Sequence, residues 1–228
     1  MLSIIIPAKN EAQRIGATLE KLCSFLRKSK TSAEVIVVNN GTDGTPGVVR
    51  EKKNKYSFIR LLDFPKPLGK GRAVREGLKA ATGDALVCDA DGSWSAEDIP
   101  KLTTALKNWD LAIGSRRLPE SRVYNLPFKR KLASTAFAAV VSLLFGMGIR
   151  DTQCGFKAVR RSAYKKMLPL LKVDLFEWDV EFLLVARQLG LRVAEIPITW
   201  HYKEGGTVSP GFAAKMLSGV LALKKRFP

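Results

Sequence analysis

Asp84-Ala-Leu-Val-Cys88-Asp89-Ala90-Asp91-Gly92-Ser93 is an apolar run that stops on two carboxylates and a glycine. A short apolar run bounded by a turn signal reads as a buried strand, here Asp84 to Cys88. Two carboxylates one residue apart at a strand end are placed to face one hard cation. Mg²⁺ or Mn²⁺ binds few protein carboxylates and completes its shell from water and phosphate oxygens. Asp89 and Asp91 are therefore candidate metal ligands, with Ser93 beside them. The competing reading is an ordinary Asp- and Gly-rich turn, common after strands. The surrounding chain decides between the two.

Outward from this stretch, strands and helices alternate. Leu2 to Ile6, Glu34 to Val38, Phe58 to Leu62 and Asp110 to Gly114 are further short apolar runs. Glu11 to Arg27 spaces Ile15, Leu19, Leu22 and Leu26 as one helix face, and Gly71 to Ala81 and Ala96 to Leu106 also read as helices. This order predicts an α/β fold: a Rossmann-like, doubly wound, mostly parallel sheet covered on both faces. In such sheets ligands bind beyond the carboxyl ends of the strands. The rule selects the loops after Ile6, Val38, Cys88 and Ile113, which hold almost all the unusual polar residues. Pattern and chemistry agree, and the metal reading of residues 89–93 gains over the turn. Further on, Val180 to Leu189 reads as a helix, Arg192 to Thr199 as a strand, His201 to Pro210 as a Gly-rich loop and Phe212 to Lys225 as an amphipathic helix. No repeat or linker divides the chain, so residues 1–228 are expected to form a single domain.

The chain has 228 residues, of which 46% are hydrophobic, enough for one substantial core. Lys plus Arg number 38 against 21 Asp plus Glu, a formal charge of +17. That excess implies anionic partners: nucleic acid, anionic lipid or phosphorylated substrates. Cys23, Cys88 and Cys154 form no CxxC pair, so they read as buried reduced thiols rather than a zinc site or disulfide framework. Leu2 to Ile6 is too short for a signal peptide, and Pro7 ends it. Leu132 to Ile149 runs 18 residues without a charge but includes Ser134, Thr135, Ser142, Gly146 and Gly148. A spanning helix needs about 20 mostly apolar residues. The stretch therefore reads as a buried or interfacial helix, with a true span as the lesser alternative.

Two further loops carry chemistry. Pro7-Ala8-Lys9-Asn10-Glu11 joins the first strand to the first helix, where backbone N–H groups are free for a ligand. Asn10 there is a candidate helix cap, and Glu11 suits the helix's positive end. Pro67-Leu68-Gly69-Lys70-Gly71-Arg72 places glycines and two cations before a helix, a setting that lets an anion approach. It matches neither GxxxxGK[ST] nor GxGxxG, since Val74 stands at the third glycine.

Together these residues resemble family 2 glycosyltransferases of GT-A fold, from Ser3 to about Val208, and within them the polyprenyl (dolichyl) phosphate mannose and glucose synthases. Ile5-Ile6-Pro7-Ala8-Lys9-Asn10-Glu11 is similar to that family's nucleotide-binding start, and Asp89-Ala90-Asp91-Gly92 to its metal and diphosphate motif. Ile113-Gly114-Ser115-Arg116 is similar to its GSR segment, whose Arg is implied to bind phosphate. Asp151-Thr152-Gln153-Cys154-Gly155-Phe156-Lys157 resembles the acceptor-side motif of the glucosyl branch. The resemblance implies that residues 1–115 bind a nucleotide-diphosphate sugar, through Pro7, Ala8, Asn10, Glu11, Asn39, Lys70, Asp89, Ala90 and Asp91. It implies that residues 116–228 bind the acceptor. Three positions depart from the family pattern. Asn39-Asn40 replaces the usual Asp-Asp, which leaves the base, UDP or GDP, open. Ser93 stands where some relatives place a metal-binding Gln. Gly206-Thr207-Val208 lacks a Lys, though His201 and Lys203 are nearby.

The implied reaction is one in-line displacement at the anomeric carbon with inversion, assisted by Mg²⁺ or Mn²⁺. A phosphate monoester acceptor is already anionic at pH 7 and needs steering more than deprotonation. Arg116, Arg130 and Lys131, with Ser134 a turn after Arg130, suit that task, and His201, the only histidine, with Lys203, is expected near the acceptor. A hydroxyl acceptor would instead require a base, for which Asp179 in Phe176-Glu177-Trp178-Asp179-Val180-Glu181, or Asp151, is the candidate. The basic charge favours peripheral attachment to an anionic membrane, on its cytoplasmic face, with helices in the interface. A basic nucleic-acid-binding module is the alternative of another class. No RNP, KH or helix-turn-helix pattern supports it, and no nucleic-acid partner is expected. A nucleotidyltransferase is disfavoured because its Gly-rich activating loop is missing after the first strand.

Overall fold

The computed structural model describes residues 1–204 and 210–227. Gly206-Thr207-Val208, singled out above, lies outside the described residues. The first half runs β1 (Leu2–Ala8), α1 (Ile15–Lys28), β2 (Ala33–Asn39), α2 (Thr45–Lys55), β3 (Ile59–Asp63), α3 (Lys70–Ala80), β4 (Asp84–Val87), α4 (Ile99–Ala105) and β5 (Leu111–Ser115). It continues with β6 (Arg122–Tyr124), α5 (Phe128–Phe145), β7 (Lys157–Val159), α6 (Arg161–Met167), α7 (Trp178–Gln188), β8 (Val193–Pro197), β9 (Thr199–His201) and α8 (Pro210–Arg226).

Seven strands form one sheet in the order β3-β2-β1-β4-β7-β5-β8. All neighbouring pairs are parallel except those of β7, which runs antiparallel to both β4 and β5. The sheet is buried on both faces, which is why its strands read as unbroken apolar runs. Successive side chains alternate between faces. Ile4, Ile6, Val35, Val37 and Leu86 pack with Leu19 and Leu22 of α1, Val49 of α2 and Leu102 of α4. Ile5, Ile36, Val38, Ala85 and Val87 pack on the other face with Val74 of α3 and Val180 and Leu184 of α7. The carboxyl ends of β1, β2, β3, β4 and β5 therefore open along one edge.

Several expectations are corrected here. Helix α1 begins at Ile15, and its N-cap position is Arg14, with no side-chain cap. Asn10 has φ 58°, a left-handed conformation that no helix start adopts, and its Oδ1 accepts from Thr42 N–H at 2.9 Å. It ties two loops together instead of capping. Helix α2 was not predicted: it buries only Thr45 and Val49, too few for an apolar rhythm, and Pro46 in its first turn was its one signal. The run from Arg192 to Thr199 divides at Ile198, so that β8 joins the main sheet and β9 pairs with β6. Helix α5 buries only Val141 and Phe145, so it is not a core helix, and Gly146 ends it at φ 56°. Among the described residues no helix is long and apolar enough to cross a membrane, which removes the span alternative for 132–149.

Candidate active site

The loop after β4 is shaped by its own backbone. Gly92 has φ 67°, which turns the chain so that Ser93 N–H donates to Asp91 Oδ1 at 2.9 Å. Trp94 Nε1 donates to Asp89 O at 2.8 Å, and Thr18 of α1 donates to Ala90 O at 2.9 Å. These bonds fix both carboxylates on the sheet edge. A Cβ on Gly155 would collide with the Asp89 carboxylate, so any larger residue where the 151–157 segment passes it displaces that carboxylate.

Lys70 opens α3 and sets its Nζ 2.7 Å from Asp89 Oδ1 and 3.9 Å from Asp179 Oδ2. The glycines around it do not cradle an anion. Gly69, at φ 86°, and Gly71 lie against the backbone of residues 173–175. The N–H groups of Gly71 and Arg72 donate to Leu175 O at 3.2 Å and Asp174 O at 3.3 Å. The helix start is thus closed by protein carbonyls, and the Lys70 side chain reaches past it to Asp89 and Asp179.

Electrostatics separates the two carboxylates. Burial pushes Asp89 up, but the Lys70 ammonium beside it outweighs burial and holds it below the ordinary range. Asp91 is pushed above that range by burial and by the neighbouring Asp89 charge. Glu11 is also raised, chiefly by burial, despite its pair with Arg14 at 2.7 Å. Among the described residues Asp91 has no ion-pair partner within 4.0 Å. An unpaired, half-buried carboxylate next to a second one fits a divalent cation. No group of three His, Cys, Asp or Glu able to hold a metal occurs among the described residues. A cation here would rest on Asp89 and Asp91 and draw its other ligands from phosphate oxygens and water. Ser93 is committed to bracing Asp91.

On the nucleotide side, Asn40 N–H donates to Ala8 O at 2.9 Å, and Glu11 N–H donates to Thr45 Oγ1 at 2.9 Å. Ala8 is thereby joined to the residue after β2, and Glu11 to the start of α2, with Asn10 bonded to Thr42 between them. Asn39 donates to Asp63 at 2.9 Å, and Arg50 pairs with the other Asp63 oxygen at 2.8 Å. A carboxylate thus stands at the end of β3, beside the asparagine at the end of β2.

On the other side, Arg116 grips Asp151 through two bonds of 2.8 and 2.9 Å. Burial opposes both charges, yet the pair holds Asp151 below and Arg116 above the usual range. The Arg116 guanidinium also lies 5.1 Å from the Trp200 ring centroid. His201 stacks on Tyr124 at 4.8 Å, and its N–H donates to Ser93 O at 2.7 Å, bringing β9 against the carboxylate loop. Arg130 lies 6.0 Å from the Tyr202 ring, and Lys203 is exposed. Ser134 donates to Lys131 O at 3.0 Å, while its carbonyl accepts from Arg117 at 2.8 Å.

The structure therefore gathers Glu11, Lys70, Asp89, Asp91, Ser93, Arg116 and Asp179 around one cleft. Among the described residues His201 is tied to this group by its backbone N–H bond to Ser93 O, whereas Arg130, Ser134 and Lys203 make no bond to it. Sequence reasoning missed the roles of Lys157 and Arg117. Lys157 is fully buried and bonds Asp179 and the carbonyls of Thr152 and Cys154. A cation between Phe156 and Ala158-Val159 was the available signal, because a charge inside an apolar strand demands a partner.

Residues 3–168 match the family described as Glycosyl transferase family 2. A dolichyl-phosphate beta-glucosyltransferase from Drosophila melanogaster is 36% identical over 226 residues, covering 92% of this chain and 69% of that protein. A Homo sapiens protein of the same description is 33% identical over 226 residues, covering 92% and 70%. Glucosyl-3-phosphoglycerate synthase from Mycobacterium tuberculosis, solved with Mn²⁺, UDP-glucose and phosphoglyceric acid, superposes with a TM-score of 0.72 at 17% identity. That match covers 100% of this chain and 80% of that one. The structural likeness establishes a GT-A-like fold. With a family match that spans most of the sheet and both carboxylates, the chain is a glycosyltransferase and belongs to glycosyl transferase family 2.

Proposed function

We propose that the protein transfers a hexose from a nucleotide-diphosphate sugar to a polyprenyl (dolichyl) phosphate, with inversion at the anomeric carbon. The observation carrying this reading is that both candidate bases are tied up in buried ion pairs. Asp151 is held by Arg116, and Asp179 by Lys157. A hydroxyl acceptor requires a base in reach of its proton. A phosphate monoester attacks without one, since its second pKa is about 6. The descriptions of the relatives, dolichyl-phosphate beta-glucosyltransferases, point to the same acceptor.

Asp89 and Asp91 are the residues to hold Mg²⁺ or Mn²⁺, and the metal supplies neutralising charge to the departing nucleoside diphosphate. Pro7 to Glu11 and Asn39 line the nucleoside side, where UDP is favoured by the UDP-glucose of the structural neighbour and GDP is the competitor. Arg130 and Lys131 draw in the acceptor phosphate, Arg116 offers it the guanidinium edge that its two bonds to Asp151 leave over, and Arg117, anchored on α5, extends that basic wall.

The acceptor side continues into an exposed apolar face. Phe128, Leu132 and Leu143 recur on one side of α5, and Leu143 is 88% exposed. Leu217 and Leu221 are exposed on α8, with Lys224 and Lys225 beside them. This face suits peripheral contact with an anionic bilayer, on the cytoplasmic side where anionic lipid concentrates.

The test is a donor screen. Purified protein, polyprenyl phosphate and Mg²⁺ or Mn²⁺ are mixed with labelled UDP-glucose, GDP-mannose and related donors, and organic-phase label is counted. Label is expected with one donor. Transfer only to a sugar or glycerol hydroxyl would replace this reading with a base-catalysed one through Asp179 or Asp151.

A further inference from the structure

Beneath the cleft runs a line of alternating charge, Lys157–Asp179–Lys70–Asp89, that the proposed reaction does not explain. Lys157 is fully buried on a strand otherwise made of apolar residues, and it bonds one Asp179 oxygen. The other Asp179 oxygen faces Lys70 at 3.9 Å, while Lys70 itself sits on Asp89 at 2.7 Å. The rings of Phe176 and Trp178 lie 5.8 and 5.9 Å from the same ammonium. Lys70 is thus lodged between two carboxylates, in firm contact with one and a short swing from the second. A flexible four-carbon stem permits that swing. Asp179 cannot follow it toward Asp89, because Lys157, itself held by the carbonyls of Thr152 and Cys154, pins it from behind.

We infer that Lys70 is a movable counter-ion that competes with a divalent cation for Asp89, and that Asp179 is the positioning residue that receives it when the cation binds. This rests on the reading that Asp89 and Asp91 hold the metal. An ammonium and a dication on one carboxylate oxygen repel each other. A metal arriving on Asp91, the carboxylate without an ion-pair partner, therefore loosens Lys70 from Asp89. Asp179 then balances its charge without exposing it to water. The device couples metal uptake to donor binding. Protein alone holds Mn²⁺ weakly, and diphosphate oxygens tip the competition. The competing role for Lys70, a plain ligand of the donor diphosphate, gives different results.

The experiment is Mn²⁺ titration of the whole chain without nucleotide, with free Mn²⁺ read by electron paramagnetic resonance. Lys70→Met is expected to bind Mn²⁺ at least about tenfold more tightly than wild type, and Lys70→Arg, with a firmer fork on Asp89, more weakly. Asp179→Asn is expected to bind about fivefold more weakly, and the double variant Lys70→Met/Asp179→Asn to return to the Lys70→Met value. If Asp179→Asn does not fold, the two Lys70 variants decide alone. Unchanged or weaker Mn²⁺ binding by Lys70→Met overturns the inference, and it is the result a simple diphosphate ligand would give. A parallel titration with UDP-glucose tests the underlying reading. Mn²⁺ uptake there by wild type and not by Asp91→Ala confines any failure to the Lys70 proposal. No uptake by wild type in either titration removes the metal site and the inference with it.

Discussion

Asp91 and Gly155 concentrate the consequences at the residue scale. Asp91, unlike Asp89 with its Lys70 partner, has no ion pair among the described residues, so of the two it gains more from a cation. Asp91→Ala is expected to abolish metal-dependent donor binding in calorimetry, and retained affinity would refute the metal assignment. Gly155 acts by having no side chain. In Gly155→Ala the new methyl meets the Asp89 carboxylate and pushes it off its position. A misplacement of about 1 Å at a reacting site costs on the order of 10²-fold. We expect kcat/KM to fall by about that factor, and the change to add little in an Asp89→Ala background. An equal further loss in that background would show that the methyl acts elsewhere. Neither position was equally legible. Asp91 announced itself by type and spacing, whereas Gly155 matters only through a neighbour more than sixty residues away. The same holds for Asn10, whose residue type suits a cap and whose left-handed backbone and bond to Thr42 serve a loop contact.

Elements were legible where burial set a rhythm. The strands buried on both faces and the stripe Ile15, Leu19, Leu22, Leu26 declared themselves, because each apolar position answers to one sheet face. Helix α2 did not, since it lies on the surface and buries two side chains. The short strand β7 was hidden because three residues carry no period, and its direction depends on long-range pairing. Another element-scale feature is the stitch at the opposite sheet edge. Glu34 of β2 accepts from Ser3 of β1 at 2.8 Å, from Arg60 of β3 at 2.6 Å and from Thr82 N–H, before β4, at 3.0 Å. Burial raises the Glu34 pKa, but these bonds outweigh burial and hold it at about 2 against an ordinary 4.5. The folded value is depressed, so the contribution is complete above about pH 4.5 and fades as pH falls toward 2. Glu34→Gln is expected to cost about 1–3 kcal/mol near neutral pH by urea unfolding, with the gap to wild type narrowing between pH 4.5 and 2. A gap independent of pH would assign the loss to packing.

For the whole molecule, the +17 charge and the leucine faces of α5 and α8 act together. Each Lys or Arg near an anionic surface contributes about 1 kcal/mol and is screened by salt, whereas buried leucines are not. Sedimentation with phosphatidylserine-rich vesicles should therefore show strong binding at low salt and a large loss at high salt. Leu132→Asp and Leu143→Asp should remove what salt leaves. Binding indifferent to both salt and these substitutions would place the contact elsewhere. The fold class, the strand-end crevice and its acidic loop were readable because each is written locally. What joins the two ends of the cleft, Lys157 to Asp179 and Arg117 to Ser134, was not, because those partners meet only after the chain has closed.

The reversed strand β7 has a consequence for how this enzyme is made. It lies between β4 and β5, so the centre of the sheet is supplied by residues 157–159, long after its neighbours have been synthesised. A nascent chain that has emerged only to residue 150 leaves β4 and β5 facing each other with bare edges across a gap of about 10 Å, at a spacing of roughly 4.8 Å per strand, and leaves the far edge of β5 bare as well. Such a fragment is a template for aggregation, not a smaller working half. Stop codons or proteolytic nicks before Lys157 should therefore yield insoluble product, and splitting the gene at its midpoint should fail unless both pieces are produced together.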